Sequence, residues 1–199
     1  MTPERKQKFI SVLNKRQSGL TVVLENVHDP HNISAVLRSC DAVGIHEVFV
    51  VNTITPRVDH YGMKSSSSAL KWVAIHFFDD VNECIIAVRK KYDFLFSTRL
   101  GEHSKSIYEL GLTQSVALLF GNEKDGLSEE ISKLVDGNFM IPQVGMIHSL
   151  NISVACAVTL YEAFRQRNLK KMYDAPTLAE REYNSILDYW VERHENPHG

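Results

Sequence analysis

The 199-residue sequence has no apolar run approaching the ~20 residues that a membrane span requires, and no apolar leader opens it. A spanning or exported protein is therefore not expected, and the chain reads as cytoplasmic. Its three cysteines, Cys40, Cys84 and Cys156, stand far apart with no paired spacing. That excludes a disulfide framework and a cysteine zinc site, and it predicts reduced, mostly buried thiols. Glycine and proline are too sparse to build a linker between two domains. A net charge of −2 gives no whole-molecule attraction toward nucleic acid.

Missing motifs exclude further chemistry. No Gly-x-Gly-x-x-Gly follows the first apolar run, which counts against a dinucleotide site, and no Gly-Lys-Ser/Thr loop supports nucleotide hydrolysis. A His-Glu-x-x-His helix and a Gly-x-Ser-x-Gly elbow are also missing. His28 and His31 are three apart, but nothing nearby completes a metal site, so no metal is expected.

What is present alternates between strand and helix. Thr2-Pro3-Glu4 opens a helix with an apolar stripe of Phe9, Val12 and Leu13, ended by Gly19. Strands are expected at 20–24, 47–51, 93–97, 116–120 and 138–141. Asn32 is expected to cap a helix that runs to Asp41 and stops at Gly44. Residues 52–75 read as irregular, with a flexible loop at 65–68. Further helices are expected at 81–91, from the Ser128 cap to 135, and from 150 onward. A capping box at 177–180 opens a last helix whose apolar face is Tyr183, Ile186, Leu187 and Trp190. Such alternation predicts an α/β protein with a mainly parallel sheet and helices on both faces. The terminal helices read as extensions, 1–19 and 169–199, of a central 20–168 unit.

The 149–167 stretch is the most informative. Ser149-Leu150-Asn151 leads into a helix that is apolar almost all the way round and closes on Arg165 and Arg167. Such a helix is buried on more than one side, and its start, with unpaired N–H groups, is a place to hold a ligand. Two other segments could join it. In Asn32-Ile33-Ser34-Ala35-Val36-Leu37-Arg38, Asn32 and Arg38 converge only if the asparagine faces back from the cap; alone, the segment is an ordinary capped helix. In the 118–128 segment, a hydrophobic strand runs through Gly121, Asn122, Glu123 and Gly126 to a capped helix, the kind of strand-end turn where α/β folds place ligands. The 141–151 segment adds an apolar wall and a glycine-bearing loop.

Taken together and in this order, the three segments resemble the signature motifs of the SPOUT superfamily of RNA methyltransferases, and within it the TrmH family of tRNA guanosine 2′-O-methyltransferases. The resemblance covers roughly residues 4–174, including Leu20 to His28, Pro30-His31-Asn32, Cys40 to Gly44 and Lys71-Trp72. It implies a deep trefoil knot in the C-terminal part of the sheet, an exception to the rule that chains avoid threading. It implies S-adenosylmethionine bound in that knot by Thr98, Gly121, Ile141, Met146, Ser149 and Leu150, and a homodimer formed along the last core helix. By the same resemblance Asn32, Arg38, Glu123, Ser149 and Asn151 form the catalytic neighbourhood. Gln143 and His148 depart from the family pattern, where relatives tend to carry Met and Gln.

One physical point qualifies the role of Arg38. A guanidinium gives up its proton too poorly to act as a base, so Arg38 is read as orienting and stabilising the attacking oxygen or an adjacent phosphate. The N-terminal helix (Arg5, Lys8, Lys15, Arg16) and the Arg165/Arg167 end are expected to grip RNA phosphates. The expected activity is methylation of a ribose 2′-hydroxyl in tRNA, with guanosine 18 of the D-loop as first reading. A ribosomal RNA site, another tRNA position, or a non-catalytic dimeric RNA-binding module are the alternatives.

Overall fold

The computed structural model describes residues 1–54, 69–99, 104–122, 124–147 and 149–196. Expectations for the 65–68 loop, for Glu123 and for His148 lie outside them. The elements run α1 (Pro3–Leu13), β1 (Leu20–Glu25), α2 (Pro30–Ala42), β2 (Glu47–Val51), β3 (Ala74–Phe78), α3 (Val81–Arg89) and β4 (Phe94–Thr98). Then follow β5 (Lys105–Ser106), β6 (Val116–Phe120), α4 (Glu129–Ser132), β7 (Gly137–Met140), α5 (Ile152–Leu169) and α6 (Glu180–Glu195).

The strands form one seven-stranded sheet in the order β3-β2-β1-β6-β4-β7-β5, and every described pairing is parallel. Strands β1, β2 and β6 are buried along their whole length, as unbroken apolar runs in a sheet covered on both faces must be. Alternation then splits their side chains. Leu20, Val22 and Leu24 face α2 and α5, while Val23, Phe49, Ala117 and Leu119 face α3 and α4. Around β1 and β6 the chain changes direction of travel across the sheet, going first to β2 and β3 and later to β4 and β7. Ligand crevices open beyond the carboxyl ends of strands at such reversals.

Local chemistry revises several expected boundaries. Asp29, not Asn32, caps α2: its side chain accepts the His31 N–H at 2.9 Å, and Pro30 takes the first helical position. Gly44 does stop that helix at a φ of +88°, where a Cβ would run into the Lys15 carbonyl. Helix α4 is four residues long rather than running to 135. The expected capping box does not form: Ala179 precedes α6 without a side-chain cap, and the Thr177 hydroxyl donates to the Arg16 carbonyl at 2.8 Å instead. Strand β3 falls partly in the stretch expected to be irregular, and β5 was not anticipated. Both are edge strands, one interrupted by His76 and the other only two residues long, so neither shows a usable alternation.

The stripe on α1 and the apolar face of α6 cover each other. Phe9, Leu13, Leu178 and Trp190 form a third core cluster with Trp72 packed on it. Phe9 meets Trp72 and Trp190 at ring distances of 5.3 and 5.9 Å. Burying one such aromatic contributes on the order of 1.5–3 kcal/mol, enough to hold the two terminal helices together on the sheet.

Candidate active site

A cavity of about 340 Å3 opens at the carboxyl ends of β4, β6 and β7. Three stretches far apart in sequence wall it: Thr98 and Arg99 after β4, the 120–127 turn after β6, and the 139–155 segment leading into α5. Of the residues expected to bind a cofactor, Thr98, Gly121, Ile141, Ser149 and Leu150 all line it. Met146 does not line it in this single chain and is 94% exposed. Sequence reasoning passed over Asn122, Gly126, Leu127, Ile152 and Ala155, which also face the cavity. The first three belong to the glycine-bearing turn already singled out, so membership of that turn was the available signal.

The shape of this turn is fixed from within. The Asn122 side chain accepts the N–H groups of Lys124 and Asp125 at 2.9 and 2.8 Å, and Gly126 N–H donates to the Asn122 carbonyl at 3.0 Å. Gly126 has a φ of +70° with open space where a Cβ would stand, so backbone can approach a ligand there. Gly121 is needed for another reason: a Cβ on it would collide with the Gly126 backbone.

At the mouth of the cavity, α5 meets α2. Asn151 caps α5, its side-chain oxygen accepting the Ser153 N–H at 2.9 Å and the Ser153 hydroxyl at 2.6 Å. Its amide nitrogen donates to the Asn32 side-chain oxygen at 3.1 Å. This one bond brings the first and third sequence segments together, with Asn32 buried and Ser149 exposed beside it. Arg38 stands apart. Six residues after Asn32, it sits about 120° round the helix, its side chain is exposed, and no hydrogen bond or ion pair joins it to a described residue.

The basic residues divide sharply. Arg5, Lys8 and Lys15 are exposed on or just after α1, with the Arg5 guanidinium 5.0 Å over the Phe9 ring. Arg16 is fully buried. It donates to the Ile45 carbonyl at 2.9 Å, the Asp41 carboxylate at 2.6 Å and the Trp72 carbonyl at 3.1 Å. Arg167 is buried too, donating to the carbonyls of Leu112, Gly19 and Gln114 at 2.9, 2.6 and 2.7 Å. Burial lowers the Arg167 guanidinium to about 10, and that of Arg16 falls for the same reason. Neither can reach a phosphate, so the RNA-gripping role expected of these two is corrected: both tie loops to the core. Arg165 is exposed but already forked onto the Glu162 carboxylate at 2.8 Å.

A second charged cluster sits at the opposite end of the sheet. Glu47 is buried and receives Lys91 at 2.7 and 2.9 Å, His76 at 2.8 Å and the Tyr92 hydroxyl at 2.9 Å. Desolvation alone would raise its carboxyl; the bonds from His76 and Lys91 and the nearby His46 outweigh it and hold it at about 2. His46, Glu47 and Glu182 lie close enough to share a metal ion. The Lys91 ammonium already holds both Glu47 oxygens, so the cluster reads as an internally compensated ion network.

Comparison with known proteins follows the same lines. Residues 19–161 match the model of the SpoU rRNA Methylase family. A "tRNA (guanosine(18)-2′-O)-methyltransferase" of Thermus thermophilus is 42% identical over 192 residues, 96% of this chain and 98% of that one. The solved TrmH/SpoU tRNA modifying enzyme of A. aeolicus superposes with a TM-score of 0.85 at 34% identity, covering 96% of both chains. The SpoU methyltransferase AviRb of Streptomyces viridochromogenes, solved in complex with the cofactor AdoMet, gives 0.69 at 28% identity, covering 78% of this chain and 62% of that one.

Proposed function

The chain belongs to the SpoU methylase family, and from that premise we propose that it transfers a methyl group from S-adenosylmethionine to a ribose 2′-oxygen in tRNA, at guanosine 18 of the D-loop. The observation that carries this reading is the Asn151–Asn32 hydrogen bond at the mouth of the cavity. It joins the two polar segments that the chemistry needs, beside a pocket of mixed polar and apolar character.

The lining fits the donor. Gly121, Gly126 and the exposed backbone after β7 suit a ligand held by main-chain groups, and Ile141, Leu150 and Leu127 suit its apolar parts. When bound, S-adenosylmethionine supplies an electrophilic methyl group on a cationic sulfur. Thr98, Gly121, Ile141, Ser149 and Leu150 would hold it. Asn151, with both ends of its side chain engaged, is a rigid group that fixes Asn32 and leaves the Ser149 side chain free to orient the incoming ribose. Arg38 stabilises negative charge on the attacking oxygen or the neighbouring phosphate. Glu123, outside the described residues, is assigned to the same neighbourhood by the family resemblance alone.

Arg38 is not part of the cavity of its own chain, which supports a homodimer in which each copy supplies this guanidinium to the other. Helix α5 was expected to be buried on several sides, yet in the single chain it leaves Val154 47% and Tyr161 56% exposed, with Ile147 and Leu150 uncovered nearby. An apolar surface of this kind calls for a partner, and a second copy meeting it along α5 would cover it. We read the crossing of β6, β4 and β7 together with the 141–151 segment as the trefoil knot of this fold. The 20–168 unit carries the chemistry, while the 1–19 and 169–199 segments flank it and present Arg5, Lys8 and Lys15 to phosphates. Among the described residues no helix is long and apolar enough to cross a membrane; the tRNA substrate assigns the enzyme to the cytoplasm.

The test is complementation in mixed dimers. Arg38→Ala and Asn151→Ala homodimers should each be inactive or nearly so, and mixing them under exchange should restore transfer. A mixture no more active than its parents would remove the shared site.

A further inference from the structure

Glu25 is a buried carboxylate in unfavourable surroundings. It closes β1, is 1% exposed, and points to the α3/α4 side of the sheet, where the cluster built by Val23, Phe49, Val81 and Ile131 is otherwise apolar. A carboxylate there costs free energy that a valine would not. One oxygen accepts the Ser128 N–H at 2.7 Å; the other is buried without any hydrogen-bond partner. Its charge is felt by the adjacent Cys84 thiol, which burial first, and then Glu25, push up to about 12. Nothing in the proposed methyl transfer uses this carboxylate.

What it does hold is the cavity wall. Asn122 and Gly126 bond to each other and fix the shape of the 121–127 turn, but those bonds lie inside the turn and do not fix its position over the sheet. The turn leaves through Ser128 into a helix of only four residues, which Ile131 and, just before it, Leu127 hold to the apolar cluster by non-directional packing that sets no hydrogen-bonded height for the turn. The bond from Ser128 N–H to Glu25 joins the far end of this turn to β1. Gly121, Asn122, Gly126 and Leu127 face the cavity from that same turn.

We propose that Glu25 is a positioning residue for the methyl donor: its buried carboxylate, acting through the Ser128 amide, holds the 121–127 turn at the height where it walls the cavity. The proposal rests on the donor assignment above and adds a residue to it. The acceptor oxygen is the functional atom, so a neutral side chain of the same shape does the same work.

The experiment compares wild type, Glu25→Gln and Glu25→Leu by calorimetric titration with S-adenosylmethionine, by steady-state kinetics, and by amide hydrogen exchange. Glu25→Leu should weaken donor affinity and raise its KM by about ten-fold, the scale of one buried hydrogen bond. Maximal turnover and tRNA affinity should stay near wild type, and the amides of residues 121–128 should lose protection. Glu25→Gln, which keeps an acceptor and removes the charge, should behave like wild type. The proposal fails if Glu25→Leu binds the donor normally, if Glu25→Gln is as weak as Glu25→Leu, or if donor affinity, turnover and tRNA affinity fall together. It also fails if neither variant folds, since Glu25 would then serve folding alone. A wild-type protein that binds no donor removes the methyltransferase reading itself and this inference with it, whereas normal wild-type binding with an indifferent Glu25→Leu removes only the inference.

Discussion

The seam beneath the terminal helices and the mouth of the cavity treat charge in opposite ways. At the seam every strong charge is already committed. Arg16 and Arg167 are bonded to backbone carbonyls, and Glu47 is held by a lysine, a histidine and a tyrosine. At the mouth Asn151 and Asn32 bond to each other, but Ser149 beside them and Arg38 farther along α2 stand open. Arg38 is exposed and unpaired with any described residue, and Ser149 faces the cavity. Arginines that look alike in the sequence therefore do different physical work. Those at the seam neutralise the ends of loops that water cannot reach, while the one outside it keeps its charge available to a substrate.

The sharpest way to break this contrast is to remove the exposed guanidinium. Arg38→Ala should abolish methyl transfer, a loss of about 10³-fold or more, of the size seen when a preorganised charge donor is deleted. Donor affinity should stay within about two-fold, because Arg38 is not among the residues that line the cavity of its own chain. Equal loss of turnover and affinity would mean that Arg38 holds the donor instead. Asn151→Ala comes next. It removes the α5 cap and the link to Asn32 together, and turnover should fall by more than about ten-fold; unaltered turnover would take Asn151 out of the site.

Arg167→Met tests the other half of the contrast. It takes the donor from the Leu112 and Gln114 carbonyls, while the Gly19 carbonyl keeps the Val116 N–H at 2.9 Å, and a loss of about 3 kcal/mol lowers the melting temperature by roughly 6–12 °C for a domain of this size. The salt dependence of tRNA binding should not change; a shallower slope would return Arg167 to the RNA surface. The Glu47 network predicts a pH window. The folded carboxyl, at about 2, lies below its unfolded value, so its contribution is complete above the unfolded value and is lost as pH falls from about 4.5 toward 2. That contribution is on the order of 3 kcal/mol, and Glu47→Gln should flatten the acid limb of a melting-temperature profile. The smallest effect belongs to the open cations on α1 and just after it. Replacing Lys8 and Lys15 by Ala should make the salt slope of tRNA binding shallower by roughly two phosphate contacts with little change in turnover at saturating tRNA.

Much of this division could be read from the residues, and some could not. The buried strands β1, β2 and β6 announce themselves as continuous apolar runs, and two of the three stretches that wall the cavity, 120–127 and 139–155, stood out by their glycines and a polar helix start, whereas Thr98 entered only through the family resemblance. Edge strands β3 and β5 escaped because edge positions carry mixed polarity. The Asp29 cap escaped because Asn32 offered a second capping group three residues away, and the box at 177–180 failed because the Thr177 hydroxyl bonds the distant Arg16 carbonyl instead. Burial of Arg16 and Arg167 was the hardest to foresee. Each lies in a basic cluster that reads as a solvated face, and only the closing of distant loops around it, Leu112 and Gly19 around Arg167, or Ile45 and Trp72 around Arg16, shows otherwise. The partner of Asn32 was equally hidden, because the residue it meets is 119 positions away.

Ribose methylation at one position is tested most directly by supplying the protein with labelled S-adenosylmethionine and two tRNA transcripts that differ only in the sugar of guanosine 18. Label should enter the transcript whose guanosine 18 carries a 2′-hydroxyl, approaching one methyl group per molecule, and none should enter the 2′-deoxy transcript. Equal labelling of both would place the methyl group elsewhere and contradict the reading of the cavity and its guanidinium.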